Sequence, residues 1–340
     1  MRLPTLAAIS LAACSANAAP YAPHRSQRTV KRAGVGDGTS VMSFFGQSTE
    51  PATLSEVCEN DNFDIIILAF ITSLNPPKLN MGKDTGSPSE AQEKLKEKGF
   101  ELFDGTVAPE GGKSIADQIS GCQKNKKVMI SFGGDERYSN ATFASEDEAK
   151  QAADQVWNLY LGGTDSDDIR PFGSKVRLDG LDLDNESGNG SFYKEFVTEL
   201  RSKMDSDSTK DYFMSAEPMC AFFDDAESSI PDSVLPMLDF VNVQFYNNEA
   251  QGIGGSDFDS TIKAWAKKFA AASPSPKLFL GVPGGEGAAS TNIQSADEIK
   301  KTINSVKNMN LTGFGGVGIW DAGFAMADEA FPEAVKSSLG

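Results

Sequence analysis

Histidine is almost missing from this chain: His24 is the only one in 340 residues. It lies in an N-terminal stretch that carries the marks of a removed segment. Arg2 supplies a small positive start, Leu3 to Ala12 a short apolar core, and Ala16-Asn17-Ala18 a small-x-small cleavage pattern. The apolar core is too short to span a bilayer. Residues 1–18 are therefore expected to be a signal peptide. Residues 19–32 are basic, lack periodicity and end in Lys31-Arg32, which reads as a pro-peptide. With both removed, no histidine remains. That excludes Ser-His-Asp and Cys-His catalysis and His-based zinc sites, and leaves carboxylates as the default acid and base.

Cysteine is also scarce. Cys14 falls in the leader, and Cys58, Cys122 and Cys220 remain. An odd count in a secreted protein suggests one disulfide and one leftover thiol, and three cysteines are too few for a disulfide-rich appended module. No apolar run long enough to cross a bilayer follows the leader, and Ala334–Gly340 carries no lipid-anchor pattern. Basic residues are outnumbered, 31 against 48 acids, for a net charge of −17. Arg2, Arg25, Arg28, Lys31 and Arg32 all lie in the segment expected to be lost, so the mature chain would stand at −22. Such acidity argues against nucleic acid or anionic membrane as partners and suits a neutral substrate. No metal and no cofactor is expected, and the expected state is a monomer.

What the chain has is alternation. Short apolar runs suggest eight strands: Val41–Phe45, Ile65–Phe70, Lys127–Phe132, Val176–Asp184, Tyr212–Ala216, Phe240–Phe245, Leu278–Val282 and Gly316–Trp320. Helical spacing is clearest over Ser114–Lys124, Glu146–Tyr160, Ser191–Lys203, Ser260–Ala272 and Ala296–Asn308. Strand and helix alternating about eight times over this length predict a single (β/α)8 TIM barrel spanning residues 33–340, with a doubly wound sheet as the alternative. The polar stretch from Ile71 to Gly112 lacks periodicity and is expected to be an extended loop region.

The fourth strand ends in Asp179-Gly-Leu-Asp182-Leu-Asp184-Asn-Glu186. Residues two apart in a strand share a face, so Asp182, Asp184 and Glu186 are expected side by side at the barrel mouth. Like charges that close cannot all ionise cheaply, so at least one should hold a proton near neutral pH. A protonated carboxyl beside a carboxylate is the equipment for cleaving a glycosidic bond. A plain solvated loop would not need leucines between its acids. An EF-hand-type calcium loop would need a glycine and a distal glutamate that are missing here. Gly313 to Gly318 fits GxGxxG but leads into a strand instead of following one, which argues against a dinucleotide site.

Asp179–Glu186 matches the DxxDxDxE signature of glycoside hydrolase family 18, and the chain resembles the class III, hevamine-like chitinases of that family and their fungal relatives. Phe44-Phe45-Gly46-Gln47, Thr53–Phe70, Ser131-Phe-Gly133-Gly134, Gln244-Phe-Tyr246-Asn247-Asn248, Leu280-Gly-Val-Pro283 and Gly315–Trp320 resemble further family motifs in order. The resemblance implies an endo-chitinase acting on β-1,4-N-acetylglucosamine polymers (chitin or chitooligosaccharides) by a retaining, substrate-assisted mechanism. Glu186 would be the acid and base. Asp184 would orient the acetamide that serves as nucleophile, Asp182 would share its proton, and Tyr246 would hold the acetamide oxygen. Trp320 would floor the sugar site, with Gln244, Asn247, Phe45 and Gly46 as further substrate-binding residues. Asp179 would bond nearby backbone. Gly133 and Gly134 would permit close packing under the acids.

The resemblance also implies a Cys58–Cys122 disulfide and a free Cys220. Two departures stand out. Family members often read Ala-Ala-Pro-Gln-Cys where this chain has Ala216-Glu217-Pro218-Met219-Cys220, which adds an acid near the cleft. Pro283-Gly284-Gly285 replaces Pro-Ala-Ala, which suggests a wider cleft. Asn140-Ala-Thr142, Asn189-Gly-Ser191 and Asn310-Leu-Thr312 are glycosylation sequons. Two alternative functions remain open: an endo-β-N-acetylglucosaminidase acting on N-glycans, and a catalytically silent chitin-binding or inhibitor-like barrel. The leader reading makes its own prediction. Secreted protein should begin at Ala33 by N-terminal and intact-mass measurement, and a different start rejects the dibasic cut.

Overall fold

The computed structural model describes residues 35–50, 52–81, 114–221, 223 and 229–340. The expected signal peptide and pro-peptide lie outside these residues. Nine strands form one sheet: β1 (Ser40–Phe45), β2 (Ile65–Leu74), β3 (Pro77–Leu79), β4 (Lys127–Gly134), β5 (Gly180–Asn185), β6 (Phe213–Ala216), β7 (Phe240–Gln244), β8 (Lys277–Pro283) and β9 (Phe314–Trp320). All but the short β3 run parallel and close into an eight-stranded barrel. β1 pairs with both β2 and β9, which leaves the parallel sheet no free edge at that seam. Helices α1 (Leu54–Glu59), α2 (Ile115–Cys122), α3 (Glu146–Tyr160), α4 (Tyr193–Ser206), α5 (Phe258–Ala271), α6 (Ala296–Asn308), α7 (Ala322–Ala327) and α8 (Ala330–Leu339) occur between and after the strands.

Strand alternation sorts the side chains into two layers. Leu181 and Leu183 on β5, Val241 and Val243 on β7, and Leu278 and Leu280 on β8 join the cluster between sheet and helices. Met42, Phe44, Ile65, Ile67, Met129, Phe213, Phe240 and Phe279 fill the barrel interior instead. The strands are buried on both faces, as expected of a parallel sheet covered by helices. Helix starts are set locally. Thr53 with Glu56, Ser114 with Asp117, and Ser295 with Glu298 form capping boxes, each satisfying two backbone N–H groups that the first turn would leave orphaned.

One device recurs at the strand starts. Asp64 Oδ2 accepts from Val41 N–H at 2.7 Å, Asp179 Oδ2 from Val128 N–H at 2.8 Å, and Asp239 Oδ2 from Met214 N–H at 2.8 Å. Each carboxylate also meets a cation: Lys336 at 2.6 Å, Lys210 at 3.0 Å and Arg201 at 2.8 Å, in that order. Asp179 thus bonds nearby backbone, at the end of β5 remote from the other acids of its motif.

The differences from expectation have local causes. β5 starts at Gly180 instead of Val176, because Leu178 N–H turns back to Tyr160 O at 2.9 Å and Asp179 is committed to its neighbours. The region after the second strand is not all loop. β2 runs on to Leu74, and β3 folds back against it antiparallel. Pro77 opens that strand, where a missing N–H costs least. Residues 82–113, the remainder of that expectation, lie outside the described residues. Helices α1, α7 and α8 were too short or too closely spaced to be read from periodicity.

Cys58 on α1 and Cys122 on α2 form a disulfide across 64 residues of sequence, and Cys220 is free and buried. Closing a loop of that length removes about 4 kcal/mol of chain entropy from the unfolded state. Replacing both cysteines with alanine should therefore lower the unfolding free energy by about 2–4 kcal/mol in denaturant titration. A loss within error of zero would mean that the helices carry the constraint by themselves.

Candidate active site

The upper half of the barrel interior is polar where the lower half is apolar. Asp182 and Asp184 are both almost wholly buried, and their neighbours Leu181 and Leu183 face the helices, so the acids point inward. The β4–β5 register sets Asp182 beside Ser131, and the β5–β6 register sets it beside Ser215. Ser131 Oγ–H donates to Asp182 Oδ2 at 2.7 Å, and Ser215 Oγ–H donates to Asp182 Oδ1 at 2.6 Å. Gln244, at the end of β7, donates Nε2–H to Asp184 Oδ1 at 3.1 Å, to Glu186 Oε1 at 3.2 Å and to Glu217 O at 2.9 Å. One amide therefore fixes Asp184 and Glu186 relative to each other. Glu186 lies just past the strand and is half-buried.

Backbone geometry makes this arrangement possible. A Cβ on Gly133, at φ +125°, would stand 2.0 Å from Asp184 O, and one on Gly134 would press on the Phe70 ring. Gly46, at φ +124°, lets the end of β1 approach Ala69 O, which a Cβ would meet at 2.7 Å. Phe44, Phe70 and Trp320 form an aromatic floor beside the acids, with ring centroids 5.3 to 6.2 Å apart. Trp320 is partly exposed there.

Desolvation dominates the electrostatics. Burial pushes Asp182 up to about 6, against the pull of its hydroxyl donors. Asp184 is raised well above the ordinary carboxylate range, first by burial and then by the charges of Glu186 and Asp182. Glu186 is raised too, chiefly by burial, with Gln244 opposing. Tyr246 is pushed up by burial and by Asp184, Glu217 and Glu186, so its hydroxyl stays a donor.

Several residues named from sequence serve differently. Phe45 faces the helices, because it alternates with Phe44, and Phe44 takes the place beside Trp320. The Gln244 amide is committed to protein oxygens, which makes it a support for the acids. Asn247 is exposed, with a left-handed φ of 58°, and its Oδ1 accepts from Ser290 N–H at 2.7 Å. The gap at Gly284 does not open the cleft: a Cβ there would meet Ala325 N and Asp321 O at 2.8 Å, so the backbone of α7 fills it. Ser215 and Asn242 were missed. Only the register between strands brings them to the acids, and no local pattern marks them.

A closed (β/α)8 barrel with clustered acids at the carboxyl ends of its strands is the architecture of a glycoside hydrolase. Residues 40–298 match the model of Glycosyl hydrolases family 18. A protein named endochitinase 3 from Metarhizium anisopliae is 33% identical over 305 residues, covering 88% of this chain and 97% of that one. The chain belongs to glycoside hydrolase family 18. Among solved structures, a chitinase from Ipomoea carnea superposes with a TM-score of 0.70 at 25% identity, covering 88% of this chain and 99% of that one. A xylanase and alpha-amylase inhibitor protein from Scadoxus multiflorus superposes nearly as well, with a TM-score of 0.68 at 24% identity over 88% of this chain and 98% of that one. That second likeness speaks to the fold alone.

The buried acids dictate a pH dependence of stability. Asp182 and Asp321 are both pushed up to about 6, chiefly by burial. A raised carboxyl stabilises the fold fully below the ordinary carboxylate range, and that contribution is lost as pH rises through about 6, on the order of 3 kcal/mol for each group. Carboxylates held low, such as Asp135 and Glu298, titrate below this window. The melting temperature should therefore fall by several degrees between about pH 5 and about pH 7.5. A flat or rising curve would show that the acids are better solvated than their burial implies.

Proposed function

We propose that this protein is an endochitinase that cleaves β-1,4 bonds between N-acetylglucosamine units by substrate-assisted, retaining catalysis. The observation that carries the reading is the Gln244 amide joining Asp184 and Glu186 at the mouth of the barrel, above the aromatic floor. Glu186, its proton favoured by burial, donates to the leaving glycosidic oxygen. Most retaining glycosidases attack the sugar with a second enzyme carboxylate, but in this family the nucleophile belongs to the substrate. The 2-acetamido oxygen attacks the anomeric carbon as the glycosidic bond breaks, forming an oxazolinium ion. Asp184, as carboxylate, stabilises the positive charge on its nitrogen. Asp182 takes part in holding the proton that Asp184 gives up. The Tyr246 hydroxyl, with no hydrogen-bond partner among the described residues, is available to the acetamide oxygen and positions it for attack. Water then opens the ring of the intermediate, Glu186 accepts its proton, and the configuration is retained.

The name of the Metarhizium relative supports chitin as substrate. The leader-like composition of residues 1–32 supports secretion, and the sequons at Asn140, Asn189 and Asn310 support glycosylation of an extracellular protein. Because the acid must begin protonated, turnover should decline as pH rises through the elevated Glu186 value.

Glu186→Gln keeps the shape and the Gln244 contact but removes the transferable proton. It should melt like the wild type, bind chitohexaose, and lose about 2–4 orders of magnitude in kcat. Unchanged hydrolysis by this variant sinks the assignment. Wild-type protein that releases glycans from a high-mannose glycoprotein faster than it cleaves chitohexaose would move the reading to an endo-β-N-acetylglucosaminidase.

A further inference from the structure

Glu217 is an acid that the mechanism above does not use, and it lies against the catalytic carboxylates. It follows Ala216, which pairs with Leu183, and its N–H donates to Leu183 O at 2.9 Å, so it continues the β5–β6 register alongside Asp184. Ser215 and Glu217 are two apart and both point into the barrel. Glu217 is 2% exposed, Asp182 0% and Asp184 5%, which puts three carboxyls in one dry space. Among the described residues no ion pair reaches any of them. Asn242, on the far side, donates Nδ2–H to Glu217 Oε2 at 2.5 Å. Asn242 is wedged there, since a Cβ on Gly318 would stand 2.3 Å from its Oδ1. Glu217 Oε1 is buried and has no donor among the described residues, yet the carboxyl sits within hydrogen-bonding reach of Asp182.

Two carboxyls can share a hydrogen bond only if one of them carries a proton. An ionised Glu217 would leave Oε1 buried without a donor next to another anion, which is costly on both counts. A protonated Glu217 removes the orphan, because Oε1–H becomes a donor with Asp182 as its acceptor. Asp182 then receives three side-chain donors, from Ser131, Ser215 and Glu217, whereas among the described residues Asp184 receives Gln244 alone. The negative charge is best solvated on Asp182. Burial and the neighbouring acids act in the same direction, raising Glu217 well above the ordinary range. The titratable groups facing this cluster are Glu186 beyond β5, Tyr193 on α4 and Tyr246 beyond β7, with Asp135, Glu136 and Arg137 of the β4–α3 loop acting on Glu186.

We infer that Glu217 is a positioning residue that stands in the cleft as a neutral acid and donates its O–H to Asp182, keeping Asp182 the anion of the set. Asp182 is thereby the acceptor for the proton that Asp184 must release. The transfer balances: the proton leaves Asp184, binds Asp182, and frees the Asp184 carboxylate to face the acetamide nitrogen. The kinetic part of this inference rests on the proposed chitinase mechanism, whereas the protonation of Glu217 does not.

The test compares wild type, Glu217→Gln and Glu217→Met. Glutamine keeps a donor toward Asp182, and methionine has similar length and none. With the donor lost, Asp182 becomes harder to ionise, so the acid limb of kcat/KM on chitohexaose should move up by about one to two pH units in Glu217→Met. Glu217→Gln should bring the limb back to within about half a unit of wild type. An acid limb that stays in place in a folded Glu217→Met, or moves as far in Glu217→Gln, overturns the proposal. A second arm needs no turnover and no methionine variant. The infrared difference spectrum of wild type against Glu217→Gln at neutral pH should contain the C=O band of a protonated carboxyl. If only carboxylate bands differ, Glu217 is ionised and the inference is wrong. Should wild type fail to cleave chitohexaose, the substrate reading falls, and the infrared band still decides the state of Glu217.

Discussion

Three carboxyls sharing one nearly waterless space, with no cation paired to them among the described residues, are the constraint on which the site depends. Moving an isolated charge out of water costs far more than a single domain can spare, so such groups hold protons or are heavily hydrogen-bonded. Both remedies appear. Asp182 takes the Ser131 and Ser215 hydroxyls, Asp184 takes the Gln244 amide, and all the raised values have burial as their first cause. Protons are thus stored where a glycosidic oxygen would need one. A site built this way is an acid by virtue of its solvent, with no histidine required.

Holding acids this close requires backbone as much as side chains. Gly133 brings β4 against the Asp184 carbonyl of β5 at a distance that a Cβ would forbid, Gly134 leaves room for the Phe70 ring, and Gly281 and Gly318 leave room for Asn242 across the barrel. The same economy operates at the opposite end, where Asp64, Asp179 and Asp239 accept from the second N–H of neighbouring strands and meet Lys336, Lys210 and Arg201. Asp179 and Asp182 are three residues apart in one motif, yet they lie in different halves of the barrel. One is paired with a cation; the other is buried, with no ion pair among the described residues, and takes the Ser131 and Ser215 hydroxyls.

Much of this was legible without coordinates. The barrel followed from eight apolar runs alternating with helical spacing, and all eight strands lie where those runs are, because a parallel strand covered on both faces must be apolar along its length. The Cys58–Cys122 bridge and the free Cys220 also agree with expectation. What failed were short elements and orientations. α1, α7 and the Pro77–Leu79 strand are too brief to show a period, and α8 follows α7 too closely to stand apart from it. Phe45 lost its place to Phe44 because a one-residue step in a strand reverses the face, and the motif named both residues. Gln244 and Asn247 look like sugar-binding amides in sequence, but their partners, Asp184, Glu186 and the Ser290 N–H, come from other strands and loops.

The sequence by itself determined the chemistry available here: no histidine after His24, acids alternating at the end of an apolar strand, and glycines where backbones must touch. Those are properties of residue type and spacing along one strand, and spacing along one strand fixes which face a side chain takes. Only the tertiary structure decided which donors each acid meets. That depends on who stands opposite whom across the sheet, which is set by register between strands far apart in sequence. Ser131, Ser215, Glu217, Asn242 and Gln244 come from different strands or strand ends, and none is marked locally as a partner of Asp182 or Asp184. The barrel closes around them and buries a run of acids among hydrogen-bond donors from its neighbouring strands.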